Sequence, residues 1–461
     1  MTDAKRSCWI GAAALLTVIS MAAPVRAQSA TAELRETAHV ERQTPAWAMD
    51  RVIYEVNVRQ YTPEGTFDAF RTHLPRLQEM GVGILWLMPI HPIGEEKRNG
   101  TLGSYYAATD YTAVNPEFGT LEDLRELVDE AHARGMFVIL DWVANHTAWD
   151  HRWTREHPDW FVRGEDGGFK PPIPEWGDVI DLDFDSAAMR DAMIQAMKFW
   201  VAEVGVDGYR CDYAQGVPME FWKRARAELS AIKPVFLLAE AEGPEYFEAF
   251  DATYGWGFNT TAMVVSRGEK SAEDLRQWFD ADRAAHGPDR PRMWFTTNHD
   301  ENSWHGTVQE RYGDAAEAFA VLSLTLEGIP LIYTGQEVGL DRRLLFFDKD
   351  EVDWRPDPIG RIYQRLTRLK RDNPALWHGE LGGTQRWLET SQGNVGFGFV
   401  RENGEHAVIV IANLSSEPSE LGFETVGLEG EYRSAMTGKS IHIDGAYNVN
   451  LPAWGWKVLA R

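Results

Sequence analysis

Short apolar runs alternate with segments of helical spacing from residue 47 to residue 377. Runs such as 83–88, 136–140 and 235–239 are apolar almost throughout, which is typical of strands buried on both faces of a parallel sheet. The alternation predicts an α/β fold with a parallel sheet inside and helices outside. So many alternations in about 330 residues favour a closed (β/α)8 TIM barrel over an open doubly wound sheet. No glycine-rich nucleotide fingerprint follows the first strand, which also argues against the open sheet.

Two segments depart from this alternation. Residues 147–185 contain Trp, Pro and Gly with little periodicity, and we interpret this long connection as a small inserted domain. From residue 378 to 461, short alternating runs are broken by Gly, Asn and Ser. That pattern predicts a separate C-terminal domain of antiparallel β structure.

The first residues have the composition of a secretory signal. In residues 1–27, two basic residues precede the apolar run 8–23, and small residues flank the predicted cleavage point after Ala27. The alternative is an uncleaved membrane anchor. We expect an exported protein, periplasmic or secreted, with no stable membrane association after cleavage. Residues 28–46 are predicted to be a loose lead-in.

The formal net charge of −24 argues against nucleic acid as a partner, because phosphate binding requires a basic surface. It is compatible with a neutral ligand. The 19 Trp and 14 Tyr residues are a hint of sugar binding, since aromatic rings stack on the apolar faces of sugars. Trp is also a common core residue, so the number alone decides nothing.

One strand ends in a charge pair. Arg210 and Asp212 are two residues apart at the end of the run 205–212, so they point to the same side of the strand. The arginine favours the ionised carboxylate, as a nucleophile requires. The alternative is a structural ion pair that closes the strand. Cys211 lies out of phase with both residues, so we interpret it as a small buried filler rather than a nucleophile.

Acids end several of the other predicted strands. Glu240 and Asp300 each follow an apolar run, as Asp212 does, and Asp141 follows a fourth. Because the C-termini of all strands in a parallel barrel open on one face, these groups are predicted to meet at one mouth. Each of them could instead be a local helix cap.

Paired carboxylates without a Cys/His cluster indicate an acid together with a nucleophile, and glycoside cleavage is a common use of that pair. Burial after an apolar strand is expected to raise the pKa of Glu240 toward that of a proton donor. Glu242 lies on the same face of the strand and is a rival. Glu240 is preferred because it is the first acid after the apolar run.

Together these residues resemble the signature regions of the α-amylase family (glycoside hydrolase family 13). The matching stretches occur in the family's order: Asp141-Trp-Val-Ala-Asn145-His146, Gly208-Tyr-Arg210-Cys-Asp212, the strand end at Glu240, and Asn298-His299-Asp300. The stretches at Tyr106–Tyr111 and Val179–Asp183 are similar to two further family regions.

The resemblance implies a (β/α)8 barrel, a small domain B inserted at 147–185, and a C-terminal antiparallel β-sandwich. It implies a hydrolase that retains the anomeric configuration at α-glucosidic bonds of starch-derived glucans. The implied catalytic residues are Asp212 as nucleophile, Glu240 as acid/base and Asp300 as transition-state stabiliser.

The implied substrate-binding residues are Arg210, His146 and His299, with Tyr106 stacked beneath the sugar. Residue by residue, Tyr106 could be ordinary packing, and His146 and His299 could be core histidines.

Two departures from the family pattern bear on function. Tyr213-Ala214 follows Asp212, where the family often has Lys-His. Asn145 matches a calcium ligand of the family, but its partner ligands cannot be identified from the sequence. We therefore predict no required cofactor and no metal site, with calcium left open.

Other functions remain alternatives. An α-glucan transglycosylase of the same family would use the same residues. A non-catalytic homologue that binds glycans or a protein is expected to have lost the three acids. A barrel enzyme that uses a metal would need a recognisable ligand cluster.

Overall fold

The computed structural model describes residues 44–461. The signal predicted at residues 1–27 and most of the lead-in lie outside them. In the described part of the chain, no helix combines the length and apolar character needed to cross a bilayer.

A closed barrel of eight parallel strands forms the centre of the molecule, in the order β1-β10-β9-β8-β7-β6-β3-β2. Two further strands, β4 and β5, form a small antiparallel sheet outside it. The strands up to the end of the barrel are β1 Ile53–Val56, β2 Ile84–Leu87, β3 Phe137–Trp142, β4 His146–Ala148, β5 Val179–Asp181, β6 Gly208–Cys211, β7 Phe236–Ala239, β8 Ala252–Tyr254, β9 Arg292–Trp294 and β10 Ile329–Tyr333.

The predicted TIM barrel is therefore confirmed. The first and last strands close it, with Ile53 opposite Leu331, and the backbone N–H of Asn57 donates to the Thr334 hydroxyl at 2.9 Å. Residues on every barrel strand are buried, as expected for a sheet covered on both faces. Gly208 begins β6 where the backbones of two strands meet, and a Cβ there would lie 1.8 Å from the carbonyl oxygen of Phe236.

Helices surround the barrel and connect its strands. Their bounds are α1 Val58–Tyr61, α2 Phe67–Arg71, α3 Leu74–Met80, α4 Leu121–Ala133, α5 Trp153–Glu156, α6 Ala187–Phe199, α7 Met219–Ser230, α8 Trp256–Ser266, α9 Ala272–His286, α10 Val308–Tyr312, α11 Ala316–Thr325 and α12 Pro358–Asp372.

Residues 67–80 have helical spacing, and the structure forms two helices there, α2 and α3. Pro75 lies in the first turn of α3, where its missing N–H costs nothing, but it could not continue an earlier helix. Elsewhere the local signals hold. Thr120 caps the start of α4 with a capping box. Its hydroxyl accepts a hydrogen bond from the N–H of Asp123, and its own N–H donates to the Asp123 carboxylate.

The segment 147–185 lies between β3 and α6. Its strands β4 and β5 pair antiparallel, with His146 opposite Asp181, and the single-turn helix α5 lies between them in sequence. The pairing of β4 with β5 places His146 at the C-terminal end of the barrel, where it lines the pocket.

A six-stranded antiparallel sheet follows the barrel, in the order β11-β12-β13-β16-β14-β15. It curls on itself, because the N–H of Glu424 on β14 donates to the carbonyl of Glu389, which follows β11. The two halves enclose an apolar core that includes Val400, Ile409 and Ile443. The strands are β11 Thr384–Trp387, β12 Gly396–Asn403, β13 His406–Asn413, β14 Ser419–Ser434, β15 Ser440–Leu451 and β16 Trp456–Ala460.

Candidate active site

Arg210 lies at the centre of the barrel mouth and is fully buried. Its Nη1 donates to Asp141 Oδ1 and to Asp212 Oδ1, each at 2.8 Å. Its Nε donates to the hydroxyl of Tyr254 at 3.0 Å, and its guanidinium lies 5.1 Å from the ring centroid of Trp86. The arginine is thus fixed by several independent contacts, and Asp212 is held against a permanent positive charge.

Glu240 contacts the same guanidinium from the end of β7. Its Oε1 lies 2.8 Å from Arg210 Nη2, although no N–H of that nitrogen is aligned for a hydrogen bond. The backbone N–H of Tyr213, whose φ of 42° is left-handed, donates to Glu240 Oε2 at 2.6 Å. Burial raises the pKa of Glu240 to about 8, with the charges of Asp212 and Asp300 in the same direction and Arg210 opposing. Glu240 therefore keeps its proton at neutral pH.

The rival acid Glu242 has a different environment. Its Oε1 lies 2.6 Å from Arg292 Nη2 and accepts from the N–H of Gly257 at 3.1 Å. Its side chain is 39% exposed and has no bond to Arg210 among the described contacts. The geometry therefore favours Glu240 as the proton donor, as the sequence predicts.

Asp300 and His299 follow β9 on the other side of the mouth. His299 Nε2 lies 3.3 Å from Asp300 Oδ2 and 2.8 Å from the hydroxyl of Tyr106. The rings of Tyr106 and His299 are stacked, with centroids 5.3 Å apart and an interplanar angle of 21°. Tyr106 is thus part of the site and not packing remote from it.

His146 begins β4 and is also buried at the mouth. Its ring lies edge-on to Trp176, with centroids 5.5 Å apart. Burial lowers the pKa of His146, so this imidazole is neutral at physiological pH. Cys211 is fully buried, and burial raises the pKa of its thiol, which agrees with a filler and not with a nucleophile.

One pocket of about 560 Å³ contains the predicted site. Six of the seven predicted site residues line it, and Arg210 lies directly beneath Asp212 and Glu240. The lining residues that were predicted are Tyr106, His146, Asp212, Glu240, His299 and Asp300. The structure thus brings together residues from five separate strand ends and loops, as the barrel topology predicts.

Aromatic side chains extend the pocket at both ends. Trp176, Tyr213 and Trp256 line it near the two acids, because the N–H of Tyr213 donates to Glu240, Trp176 contacts the Tyr213 ring, and Trp256 precedes Gly257, whose N–H donates to Glu242. At the other end, Trp304, Phe346 and Phe347 are in mutual ring contact, and Phe346 stacks on Tyr106. A pocket with flat apolar walls and a few charged groups suits a sugar, whose ring has apolar faces and polar edges.

Sequence reasoning missed three supporting residues. Tyr254 was missed because β8 is a three-residue strand between Asp251 and Gly255, with no longer apolar run to mark it. Trp86 donates from Nε1 to Asp141 Oδ2 at 3.0 Å, but in the sequence nothing distinguishes it from other apolar strand residues. Glu55 lies 2.5 Å from His299 Nδ1, and an acid inside the apolar strand β1 was a signal that could have identified it.

Asn145 is the residue that the family resemblance associates with calcium. Asn145 Nδ2 faces His146 Nδ1 at 3.4 Å. Within residues 44–461, no group of three or more His, Cys, Asp or Glu side chains could hold a metal ion. Hard cations such as calcium prefer several oxygen ligands, so Asn145 alone does not provide such a site.

The chain matches the family model "Alpha amylase, catalytic domain" over residues 35–167 and 176–393. It is 29% identical to alpha-amylase MalA of Haloarcula japonica over 415 residues, which are 85% of this chain and 60% of that protein. It is 30% identical to an alpha-1,4-glucan:maltose-1-phosphate maltosyltransferase of Burkholderia pseudomallei over 396 residues, 75% of this chain.

The chain spans 34% of the length of that maltosyltransferase and less than two thirds of either relative. Among solved structures, an alpha-amylase from Lactobacillus plantarum aligns with a TM-score of 0.81 and 30% identity. That alignment covers 91% of this chain and 100% of the other.

Proposed function

This chain belongs to the α-amylase family, which includes glycosidases and transglycosylases, and we propose that it is a retaining glycosidase acting on α-glucans. The substrate class is starch-derived oligosaccharides or polysaccharides. The observation that supports the proposal is the placement of two carboxyl groups, Asp212 and Glu240, each 2.8 Å from one buried guanidinium group. Arg210 donates a hydrogen bond to Asp212, while burial raises the pKa of Glu240, so that Glu240 can hold the proton that an acid catalyst needs.

The first step uses both acids at once. Glu240 donates its proton to the glycosidic oxygen, while Asp212 Oδ attacks the anomeric carbon. The bond from that carbon to the glycosidic oxygen breaks, the leaving sugar departs with a new hydroxyl, and a glycosyl ester forms on Asp212. Arg210 stabilises Asp212 as the anion that attacks.

The second step reverses the roles. Glu240, now ionised, accepts a proton from water as the water oxygen attacks the anomeric carbon. The ester bond breaks and Asp212 is released as a carboxylate. Two inversions at one carbon retain the α configuration. Asp300 binds the hydroxyls of the sugar, His146 and His299 contact the same sugar, and Tyr106 stacks beneath it. Arg210 acts through Asp212 and Glu240, since it is fully buried beneath them.

The test is incubation of the purified protein with maltooligosaccharides of defined length, with the anomers of the first products followed by NMR. The proposal expects shorter α-glucans that appear first in the α form. A folded protein that leaves every α-glucan unchanged would show that the substrate class is wrong. Products that are first β would show that the mechanism is not double displacement.

Transfer to a sugar acceptor is a second candidate. One relative is a maltosyltransferase, and Trp176, Tyr213 and Trp256 form an aromatic surface beside Glu240, where an acceptor would approach. A rising ratio of elongated to hydrolysed products as the acceptor concentration increases would support transfer. A non-catalytic role is disfavoured, because Asp212, Glu240 and Asp300 all line the pocket.

We also propose that the protein is exported, periplasmic or secreted, after removal of residues 1–27. The support is the order of basic, apolar and small residues in that segment. Mass spectrometry of the protein from the exported fraction of a bacterial host is expected to find Gln28 as the first residue. A full-length chain in the membrane fraction would favour the uncleaved anchor.

A further inference from the structure

Glu55 is a fully buried acid in the barrel interior, and the mechanism above does not use it. It lies in the middle of β1, between Tyr54 and Val56, and its Oε1 is 2.5 Å from His299 Nδ1. Its Oε2 has no hydrogen-bond partner. A buried carboxyl that makes one short contact with a site residue needs an explanation, because burying a charge is costly unless it is paired.

The hydrogen bonds beyond His299 have a fixed direction. Asp141 Oδ1 accepts from Arg210 Nη1, and its Oδ2 accepts from Trp86 Nε1 and from the hydroxyl of Tyr106 at 3.1 Å. Indole and guanidinium nitrogens can only donate, so Asp141 is the acceptor in this group. Tyr106 therefore directs its proton to Asp141, and its oxygen is left to accept from His299 Nε2 at 2.8 Å.

His299 thus has an acceptor on each ring nitrogen: the carboxylate of Glu55 at Nδ1 and the oxygen of Tyr106 at Nε2. We propose that Glu55 is a positioning residue, which keeps His299 protonated on both nitrogens and so fixes the Tyr106 ring beneath the sugar. As a cation, His299 also places a positive charge beside Asp300, where the glucosyl unit would be held. This last role rests on the function proposed above, whereas the charge state of His299 does not.

The charged groups around His299 favour its protonated form. The acidic groups that face it are Glu55 from β1, Asp300 from its own segment and Asp141 from β3, and Arg210 from β6 is the opposing cation. Burial alone would lower the pKa of His299, but the charges of Asp300 and Glu55 and the hydrogen bond to Glu55 raise it to about 9. Burial raises the pKa of Glu55, but the charge of His299 and the hydrogen bond between the two groups oppose that rise and favour the ionised pair. Replacing Glu55 by glutamine, which has a similar shape, removes its negative charge.

The test is Glu55→Gln, followed by kcat/KM on a maltooligosaccharide from pH 5 to pH 9. We expect a loss of at least tenfold at pH 8 that shrinks below threefold at pH 5.5, because acid restores the imidazolium without Glu55. Glu55→Asp keeps the negative charge and is expected to retain the position of the alkaline limb, even if kcat falls. The same loss of kcat/KM at every pH would mean that Glu55 is merely structural and would overturn the proposal.

Glu337→Gln is the matched control. Glu337 is another buried barrel carboxyl, which accepts from the Tyr54 hydroxyl at 2.8 Å and from Arg76 at 2.7 Å and does not line the pocket. The Glu337→Gln substitution is expected to lower the melting temperature without changing how kcat/KM depends on pH. A shift of the alkaline limb in this variant equal to that in Glu55→Gln would overturn a specific role for Glu55.

The charge state can be measured without any substrate. Nitrogen-15 NMR of histidine-labelled protein, with the His299 signals assigned by their loss in His299→Gln, reports whether both ring nitrogens carry protons. We expect imidazolium shifts through pH 8 in the wild type, and neutral-ring shifts by pH 7.5 in Glu55→Gln. A neutral His299 at pH 7 in the wild type would refute the proposal, whether or not the protein cleaves glucans. Imidazolium shifts in a protein inactive on every glucan would refute the proposed function instead.

Discussion

Replacing Glu240 by glutamine removes the carboxyl group that the structure favours as the proton donor beside Arg210. Because the pKa of Glu240 is raised to about 8, about nine tenths of the wild-type enzyme has the acid protonated at pH 7, and about one tenth at pH 9. The wild-type kcat/KM is thus expected to fall through an alkaline limb near pH 8. Above pH 9 the deprotonation of His299 would make the fall steeper.

The size of the effect follows from the role. A positioned general acid increases the rate about 10²- to 10⁴-fold, which corresponds to a transition state stabilised by about 2.7–5.5 kcal/mol. Glu240→Gln should lose that factor on maltooligosaccharides, whose leaving group needs a proton. Formation of the glycosyl ester from α-glucosyl fluoride should be affected much less, because fluoride departs with little protonation. Sodium azide should then restore turnover, since an anionic nucleophile needs no general base.

The assay is kcat/KM against pH for both substrates, with Glu242→Gln as the matched control. Glu242 is two residues away on the same strand end and pairs with Arg292, so its loss should cost less than tenfold and leave the limb near pH 8 in place. The assignment is refuted if Glu240→Gln stays within threefold of wild type on oligosaccharides. If the alkaline limb near pH 8 disappears in Glu242→Gln instead, Glu242 is the proton donor.

Three further predictions concern other parts of the chain. Asp212→Asn should abolish turnover while the circular dichroism spectrum and melting profile stay native; near-wild-type activity would show that the nucleophile is misassigned. Trp304→Ala, at a side chain that is 48% exposed, should raise KM for oligosaccharides about 2- to 10-fold through lost stacking, worth about 0.5–1.5 kcal/mol, with little change in urea stability. An unchanged KM for every chain length would mean that this ring does not bind sugar. Asp207→Asn should lower the free energy of unfolding by about 1.5–3 kcal/mol at pH 7, measured by urea titration. Burial alone would raise the pKa of Asp207, but His132 and Lys233 lower it, so its contribution is present above pH ~4 and is lost as the pH falls through the lowered pKa. A stability difference between wild type and variant that persists unchanged in acid would contradict this account.

The sequence was informative where structure follows from local pattern. Apolar runs predicted seven of the barrel strands, and the common direction of parallel strands then brought Asp212, Glu240 and Asp300 to one mouth. The eighth strand, Ala252–Tyr254, has three residues and owes its conformation to its neighbours on both sides. Strand β9 is equally short, but buried residues from Phe295 to Thr297 extend its run. Ala252–Tyr254 lies between Asp251 and Gly255 without such an extension, so Tyr254 could not be assigned to Arg210 in advance.

The loops around the pocket were beyond prediction for a different reason. Phe346 reaches Tyr106 because the loop after β10 is held by Asn302, whose side chain bonds to the backbone of both Arg342 and Leu344. Contacts between segments so distant in sequence depend on the complete fold. Residues of this kind shape the pocket at its two ends. The acidic and imidazole groups of the site could therefore be predicted from the sequence, whereas the shape of the pocket could not.

The closure of the barrel has a consequence for how the chain is made. Strand β1 completes its pairing only with β10, and the bond from Asn57 to Thr334 joins positions 277 residues apart. At about 5–20 residues per second, a ribosome needs about 14–55 s to make the intervening chain, and during that time one edge of β1 has no neighbour. Nascent chains that end before β10 should therefore aggregate or bind chaperones through that open edge. Cooperative folding should appear only once residue 333 is free of the ribosome, which arrest at successive lengths with limited proteolysis would detect.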